Sequence, residues 1–256
     1  MMAKKFLNIA IVGTGNVATH LAYAIKESSH NLQWIVTRNK PQAELLAQKS
    51  QALLTNHIDK VKDVDIVIIA IKDEALHLDY ISQLPENAII CHTSGSVPMS
   101  VLKSYPKHGI FYPLQTFSKQ KTVDFSTVPI CLEANSDEVF TVLDRLAKDL
   151  SDKVYKVNSK QRKALHLAAV FACNFTNLMY DVSDNLCQES GLDFDILRPL
   201  IKETAEKIQF HKPSEVQTGP AARNDKKIID AHLHLLDSHP DFQNIYKILT
   251  QEIIKK

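Results

Sequence analysis

A glycine turn near the N-terminus constrains the fold of this chain most strongly. The turn follows a short apolar run and opens a helix-like segment, and it reads Gly13, Thr14, Gly15, Asn16, Val17 and Ala18. In this spacing the first glycine permits a tight turn, the second lets a pyrophosphate approach the backbone, and the alanine lets helix and strand pack closely. The motif predicts a dinucleotide site. A plain tight turn is the alternative, which is less favoured because two of the six glycines lie here.

Short β-branched runs alternate with helix-like segments through the first half of the chain. The predicted strands are Leu7–Val12, Leu32–Thr37, Ala52–Thr55, Asp65–Ile71, Ala88–Cys91, Gly109–Tyr112, Val128–Leu132 and Lys153–Val157. The predicted helices between them are Asn16–Glu27, Pro41–Lys49 and Ser136–Leu150. This alternation predicts an α/β Rossmann domain, doubly wound around a mostly parallel sheet.

The end of the second predicted strand indicates which dinucleotide binds. An NAD-binding chain places Asp or Glu here to bind the ribose 2′-hydroxyl. This chain instead has Thr37, Arg38, Asn39 and Lys40, which suit a 2′-phosphate because a guanidinium can clamp it with two hydrogen bonds. We therefore predict NADP as the cofactor. A solvated basic turn is the alternative.

Polar residues also follow three later strands. In an open parallel sheet the ligand lies beyond the carboxyl ends of the strands. We expect Ile71, Lys72 and Thr93 to contact the cofactor, and Ser94 and Gln115 to contact a substrate. Ordinary turn chemistry explains each loop equally well.

After Ser159 no further segment of the sequence has the pattern of a β-strand. The segments Ser159–Glu189, Asp193–Ile208, Asp225–Ser238 and Asp241–Lys255 all have helical patterns. We therefore predict an NADP-binding domain at residues 1–157 and an all-helical substrate and dimerisation domain at residues 158–256.

The first of these helices carries a polar stripe. At helical spacing His166, Cys173, Asn177 and Asp184 share one face, with Asn174 and Asp181 at its border. We predict that His166 donates a proton to a carbonyl or imine, that Asn177 orients the substrate and that Asn174 contacts it. The alternative is that other protein groups satisfy this stripe.

The loop between residues 217 and 225 contains Arg223, which can hold a substrate carboxylate. It can equally lock the loop through Asp225, which we expect to cap the next helix.

Composition restricts the partners. The 256 residues carry a net charge of +1, with 45% hydrophobic and 23% charged residues, so a broad nucleic-acid or membrane-binding surface is disfavoured. No apolar stretch is long enough to span a bilayer. The four cysteines form no CxxC pair, which favours reduced thiols, a cytoplasmic location and no metal site.

The combined motifs resemble a family of bacterial NADP oxidoreductase-like proteins that join a Rossmann-like domain to a C-terminal domain of unknown function. The stretches that carry the resemblance are GTGNVATHLA, TRN, HTSGSVPM, YPLQTFS, HLAAVFACNFTN and TGPAARND. More distantly, the first half is similar to pyrroline-carboxylate reductase and to the deazaflavin-dependent NADP oxidoreductase. The second half is similar to the helical domain of 6-phosphogluconate and hydroxyacid dehydrogenases. Those dehydrogenases use a lysine with an asparagine one turn later, whereas this chain has His166 and Val170, so their chemistry does not transfer.

Two functions remain open at this point. The first is hydride transfer between NADPH and a small carbonyl or imine, in some cases one bearing a carboxylate. The second is a non-catalytic NADP-binding sensor or scaffold. For either function we expect a homodimer formed through the C-terminal helices, as in similar dehydrogenases.

Overall fold

The computed structural model describes residues 6–77 and 79–255, without the side chains of residues 40–42, 77, 79 and 80. The chain divides into two compact units, Met1–Cys173 and Asn174–Lys256. The first unit holds an eight-stranded sheet. The second unit is helical throughout its regular structure.

The sheet has the strand order β3-β2-β1-β4-β5-β6-β7-β8, in which the chain reverses direction across the sheet between β1 and β4. Its strands are β1 (Asn8–Val12), β2 (Asn31–Val36), β3 (Leu53–Thr55), β4 (Ile66–Ile69), β5 (Ile89–His92), β6 (His108–Pro113), β7 (Ile130–Ala134) and β8 (Val154–Lys156). This architecture confirms the predicted Rossmann fold class.

All strand pairs are parallel except β6 with β7, which is antiparallel. The connection between those two strands contains only a short 3₁₀ turn at Phe125–Thr127, whereas β7 and β8 are joined through the helix α3 (Asp137–Leu150). A parallel crossover needs a dozen or more residues and usually a helix, so the helix-free connection matches the antiparallel pair. Ser136 caps α3, as predicted, with its Oγ accepting from the N–H of Val139 at 3.2 Å.

Apolar cores cover both faces of the sheet, because side chains alternate along each strand. Ile9 and Ile11 of β1 pack toward α1 (Asn16–Glu27), α2 (Lys40–Ser50) and α3. Ala10 and Val12 pack on the opposite face, against short 3₁₀ segments that include Ile58 and Leu102.

The predicted long helix Ser159–Glu189 is helical throughout, but it is not a regular α-helix. It consists of α4 (Ser159–Ala169), a π-helical turn at Val170–Phe175 and α5 (Thr176–Glu189). A π-turn bonds residue i to i+5, so the spacing of an α-helix does not continue across it. The prediction that the residues from His166 to Asp184 share one face of a regular α-helix is therefore wrong.

The start of α4 is firmly capped. The side chain of Asn158 accepts from the N–H of Gln161, and the side chain of Gln161 accepts from the N–H of Asn158, both at 2.9 Å. Leu165 of α4 packs against a buried cluster on the sheet that includes Ile110 and Tyr112. These contacts place α4 in the first compact unit, whose limit at Cys173 falls later in the chain than the boundary predicted after Val157.

The second unit also contains α6 (Arg198–Phe210), α7 (Lys226–Leu235) and α8 (Pro240–Ile254). Its described residues belong to none of the three buried apolar clusters. Exposed large apolar residues recur along it: Phe175, Leu178, Leu192, Ile196, Leu200, Ile208, Phe210, Ile228, Leu235, Ile248, Leu249 and Ile254.

Across the described part of the chain, we find no helix with the length and apolar character needed to cross a membrane.

Candidate functional site

A cavity of about 740 Å³ opens at the carboxyl ends of β1, β2, β4 and β5. This is the edge of the sheet where ligands bind in doubly wound folds, at the point where the strand order reverses. Eleven residues predicted to contact the cofactor line it: Gly13, Thr14, Gly15, Asn16, Val17, Thr37, Arg38, Asn39, Ile71, Lys72 and Thr93. The structure therefore brings together most of the predicted cofactor contacts.

The two glycines of the turn have different surroundings. Gly13 has a φ of +120°, and a Cβ placed on it would lie 2.2 Å from the carbonyl oxygen of Ala70. A Cβ placed on Gly15 would meet no atom within 4 Å. Gly13 is therefore required by the fold, whereas Gly15 leaves space for a ligand against the backbone.

The N-terminus of α1 has the character of a phosphate site. Its cap residue is Gly15, which has no side chain to accept from the first N–H groups, and its first turn contains no acidic residue. Free N–H groups and the helix dipole at such an end favour a phosphate group. These residues fit a dinucleotide pyrophosphate.

Two of the predicted turn residues have additional structural roles. Ala18 is fully buried and lies outside the cavity lining, as expected for the residue that lets helix and strand pack closely. Asn16 lines the cavity, and its side-chain N–H₂ donates to the carbonyl of Phe117 at 2.8 Å.

The turn after β2 also lines the cavity. The Thr37 hydroxyl lies 3.4 Å from that of Thr14 and accepts from the N–H of Asn39 at 3.1 Å. The side chain of Lys40 lies outside the described part of the chain. The loop after β3 adds four lining residues that were not predicted from the sequence: Asn56, His57, Ile58 and Asp59.

Residues 93–97 form the loop at the end of β5, beside the cavity. Thr93 lines the cavity. The Ser94 hydroxyl accepts from the N–H groups of Ser96 at 3.1 Å and Val97 at 3.0 Å, so it shapes the loop. Gln115, predicted to contact substrate, is exposed, and its Oε1 accepts from the N–H of the neighbouring Thr116 at 2.8 Å.

A buried arginine of α4 fixes this loop. Arg162 has no exposed surface, and its guanidinium donates to the carbonyl oxygens of Ser94 at 3.2 Å and Val97 at 2.9 Å. It also pairs with the carboxylate of Glu133 on β7 at 3.4 Å. The Ser159 hydroxyl donates to the same carboxylate at 2.8 Å. Three separate elements are thereby held around one buried cation.

The same cation affects His92 at the end of β5. Burial, together with the nearby charge of Arg162, lowers the pKa of His92 to about 4, although the carbonyl of Pro98 opposes this shift. The Nδ1 of His92 accepts from the N–H of Ser94 at 3.2 Å. His92 is therefore a neutral acceptor at neutral pH, and it helps to shape the loop.

His166 lies against the same loop. It is half-buried, and a Cβ placed on Gly95 would fall 2.5 Å from its Nδ1 and 2.7 Å from its Cγ. Only a glycine at position 95 gives the ring this room. The Nδ1 is hydrogen-bonded to the Tyr112 hydroxyl at 2.9 Å, whereas the Nε2 has no hydrogen-bond partner among the described residues. His166 can therefore present a ring nitrogen to a ligand.

The remaining candidates belong to the second compact unit. Asn174, Asn177 and Arg223 are all exposed. Asp225 caps α7 as predicted, with its carboxylate accepting from the N–H of Ile228 at 3.4 Å.

The sequence analysis missed Arg162 and Tyr112. Arg162 stands four residues before His166, the spacing that places two side chains on one helix face. Its position beside His166 on α4 could therefore have been predicted from the sequence. Tyr112 ends a predicted strand and begins the YPLQTFS stretch, in which Gln115, not Tyr112, was predicted to contact the substrate. No sequence pattern, however, indicated that the Arg162 side chain would be buried.

Comparisons with known proteins identify the class. Residues 7–97 match the model of an oxidoreductase family with an NAD-binding Rossmann fold, and residues 128–253 match a domain of unknown function, DUF2520. The chain is thus an oxidoreductase with an NAD(P)-binding Rossmann domain and a helical C-terminal domain.

The solved structures narrow this class. A protein of Bacteroides fragilis provisionally assigned as an NADP oxidoreductase is 40% identical over 98% of both chains, with a TM-score of 0.91. The chain therefore belongs to the same family, in which a DUF2520 domain follows the Rossmann domain.

More remote structures share the fold. The 1-pyrroline-5-carboxylate reductase of Streptococcus pyogenes is 14% identical over 99% of this chain and all of its own, with a TM-score of 0.67. An imine reductase variant of Myxococcus stipitatus, solved with NAD⁺, is 14% identical over 97% of this chain and 94% of its own, with a TM-score of 0.64. A search of curated proteins finds no match.

The two glycines give a paired test of the cavity. Gly15→Ala should leave the unfolding free energy within about 0.5 kcal/mol of wild type, because its Cβ meets open space. It should weaken NADPH binding by about tenfold or more, because a methyl group fills the approach to the backbone. Gly13→Ala should instead destabilise the fold by about 1–3 kcal/mol or more, since its φ is positive and its Cβ meets Ala70.

Thermal denaturation and titration calorimetry separate these effects. Unchanged NADPH affinity in Gly15→Ala would contradict the placement of the pyrophosphate.

Proposed function

We propose that this protein transfers a hydride between NADPH and a small carbonyl or imine compound, with His166 as the proton donor. One observation carries the proposal: a single loop joins the nucleotide cavity to the His166 ring. Thr93 of this loop lines the cavity, and Gly95 lies against the ring. A proton donor beside a hydride-transfer site lowers the barrier as charge develops on the substrate.

The residues that would hold the cofactor follow from the cavity lining. We assign the pyrophosphate to the N–H groups from Thr14 to Val17, which include those of Gly15 and Asn16, while the N–H of Gly13 donates to the carbonyl of Val36 and holds the turn. We assign the 2′-phosphate to the turn that contains Thr37, Arg38, Asn39 and Lys40. Ile71, Lys72 and Thr93 are assigned to the nicotinamide end. NADPH would supply the hydride when it is bound.

The chain's own groups supply the proton and the substrate contacts. His166 would donate from Nε2 to the substrate oxygen or nitrogen as the adjacent carbon is reduced. We retain Asn177 as the residue that orients the substrate, with Ser94, Gln115, Asn174 and Arg223 as further contacts. Arg223 would hold a carboxylate if the substrate carries one.

We also propose that the active form is a homodimer paired through the helical unit. Twelve large apolar residues of that unit are exposed, and its described residues join no buried apolar cluster. Exposed apolar surface of this extent is costly in water and marks a protein interface. A second copy of the chain is the occupant that the family resemblance favours.

A cytoplasmic location fits this proposal, because all four cysteines are free and two of them, Cys91 and Cys131, are buried.

The reaction can be tested with a panel of small aldehydes, ketones, 2-oxo acids and cyclic imines, with loss of NADPH absorbance as the signal. We expect turnover of at least one compound. His166→Gln should reduce that turnover by about 100- to 10,000-fold and leave NADPH affinity nearly unchanged, because general-acid catalysis contributes in this range.

His211→Gln is the matched control, since this exposed histidine lies at the end of α6. Tight NADPH binding without turnover of any compound would contradict the enzymatic function and favour a sensor.

Cofactor choice has its own test. The wild type should bind NADPH at least about tenfold more tightly than NADH, and Arg38→Asp should abolish or reverse this preference, because a carboxylate repels the 2′-phosphate and accepts from a ribose hydroxyl. Lys103→Asp, at an exposed position outside the cavity lining, should keep the wild-type preference. Equal wild-type affinities in titration calorimetry would exclude NADP selectivity.

Light scattering should report a dimer for the wild type at micromolar concentration. Leu178→Asp should weaken or abolish the dimer, because it places a charge on an exposed apolar position of α5. Asn185→Asp, on the same helix and also exposed, should remain dimeric. A monomeric wild type would contradict the proposed dimer.

A further inference from the structure

Tyr112 of β6 contacts His166 through its hydroxyl, at 2.9 Å from Nδ1. The two rings meet edge to face, with their centroids 6.1 Å apart. Tyr112 is buried in the cluster that contains Ile110, Cys131 and the partly buried Leu165 of α4. Both partners of the hydrogen bond are thus held by packing, one on the sheet and one on the helix that packs against it.

We propose that Tyr112 is a positioning residue: its hydroxyl donates to Nδ1 and so keeps the neutral His166 ring in the tautomer that carries its proton on Nε2. This inference rests on the proposed role of His166, and it adds the group that prepares the ring for that role. A histidine without such a partner distributes its proton between both nitrogens.

The direction of the hydrogen bond follows from burial. Among the described residues the Tyr112 hydroxyl has one hydrogen-bond partner, the Nδ1 of His166. If the ring donated instead, the hydroxyl hydrogen would have no acceptor in a buried apolar setting, which is costly. Burial, with smaller contributions from Cys131 and Asp73 and against an opposing one from Arg162, raises the pKa of Tyr112 to about 12, so the hydroxyl keeps its proton at neutral pH.

The loop lies directly against the ring. The missing Cβ of Gly95 leaves room for the Nδ1 side of the ring, at 2.5–2.9 Å from where that Cβ would stand. Arg162 fixes this loop by donating to the carbonyl oxygens of Ser94 and Val97. With Nδ1 engaged by Tyr112, Nε2 is the nitrogen left to face a ligand.

The proton balance of the step is complete with these groups. The substrate carbon receives a hydride from NADPH, and its oxygen or nitrogen takes the proton from Nε2. The Nδ1 takes the hydroxyl proton of Tyr112 at the same time, so the ring remains neutral. The negative charge comes to rest on the phenolic oxygen, where the guanidinium of Arg162 offsets part of the cost of burying it, and solvent later returns a proton to that oxygen.

The test uses ¹⁵N NMR of the full-length protein with ring-labelled histidine, without substrate. His166→Gln assigns the His166 resonances by their disappearance. In the wild type near neutral pH, Nδ1 should show the shift of an unprotonated nitrogen and Nε2 that of a protonated one. Tyr112→Phe should move both shifts toward an average of the two tautomers.

Tyr105→Phe is the matched control, because Tyr105 is also buried and its hydroxyl donates to a backbone carbonyl, that of Ile81. This variant should leave the His166 shifts unchanged. A protonated Nδ1 in the wild type would overturn the proposal, and so would unchanged shifts in a folded Tyr112→Phe. The wild-type measurement decides the matter even if that variant does not fold.

Kinetics on any substrate found separate this proposal from the proposed function. Tyr112→Phe should lower kcat by at least about tenfold with little change in KM or in NADPH affinity, since it affects proton transfer and not binding. Full activity in His166→Gln would refute the proposed function, whatever the tautomer. Loss of activity in His166→Gln with normal kcat in Tyr112→Phe would refute only the role of Tyr112.

Discussion

The guanidinium of Arg162 is completely buried inside the Rossmann unit, where it joins α4 to β7 and to the loop that follows β5. Burying a charge is expensive unless it is paired and hydrogen-bonded. Glu133 supplies the opposite charge, and backbone carbonyls of the loop accept from the two terminal nitrogens of the guanidinium. Loss of one partner of such a pair costs roughly 3–5 kcal/mol, because the other charge is left uncompensated. The position of His166 depends on this interaction, since the same helix carries it.

The cavity and the histidine are linked through backbone geometry. Gly13, with its positive φ, and Gly15, with open space beside its backbone, shape the end of the cavity proposed for the phosphates. At the other end, the His166 ring occupies the space that a side chain at position 95 would fill, so this position requires Gly95. Because His92 is neutral, the cation that the loop between these ends contacts is Arg162 of α4, and the loop itself is shaped mainly by backbone and hydroxyl hydrogen bonds. The site therefore combines a rigid loop with one ring nitrogen that has no protein partner among the described residues.

The sequence predicted the sheet, the glycine turn and most of the cavity lining, because strand periodicity and the GTGNVA spacing are local properties. It also predicted His166, but on a regular stripe that the π-turn at Val170–Phe175 interrupts. The π-turn could not be predicted from the sequence, because the segments before and after it both have the residue pattern of a helix. Arg162, Tyr112 and His57 were missed for another reason. Their roles come from contacts between elements distant in sequence, and an arginine or tyrosine in a sequence is ordinarily a surface or core residue.

If the loop of residues 93–97 brings the hydride-transfer site and His166 together, a crystal structure with bound NADP⁺ will show it. The nicotinamide ring should lie beside Thr93 and Gly95, with the Nε2 of His166 directed to the same face and bonded to water or ligand. A nicotinamide ring directed away from this loop, or an Nε2 bonded to a protein group far from it, would exclude this arrangement.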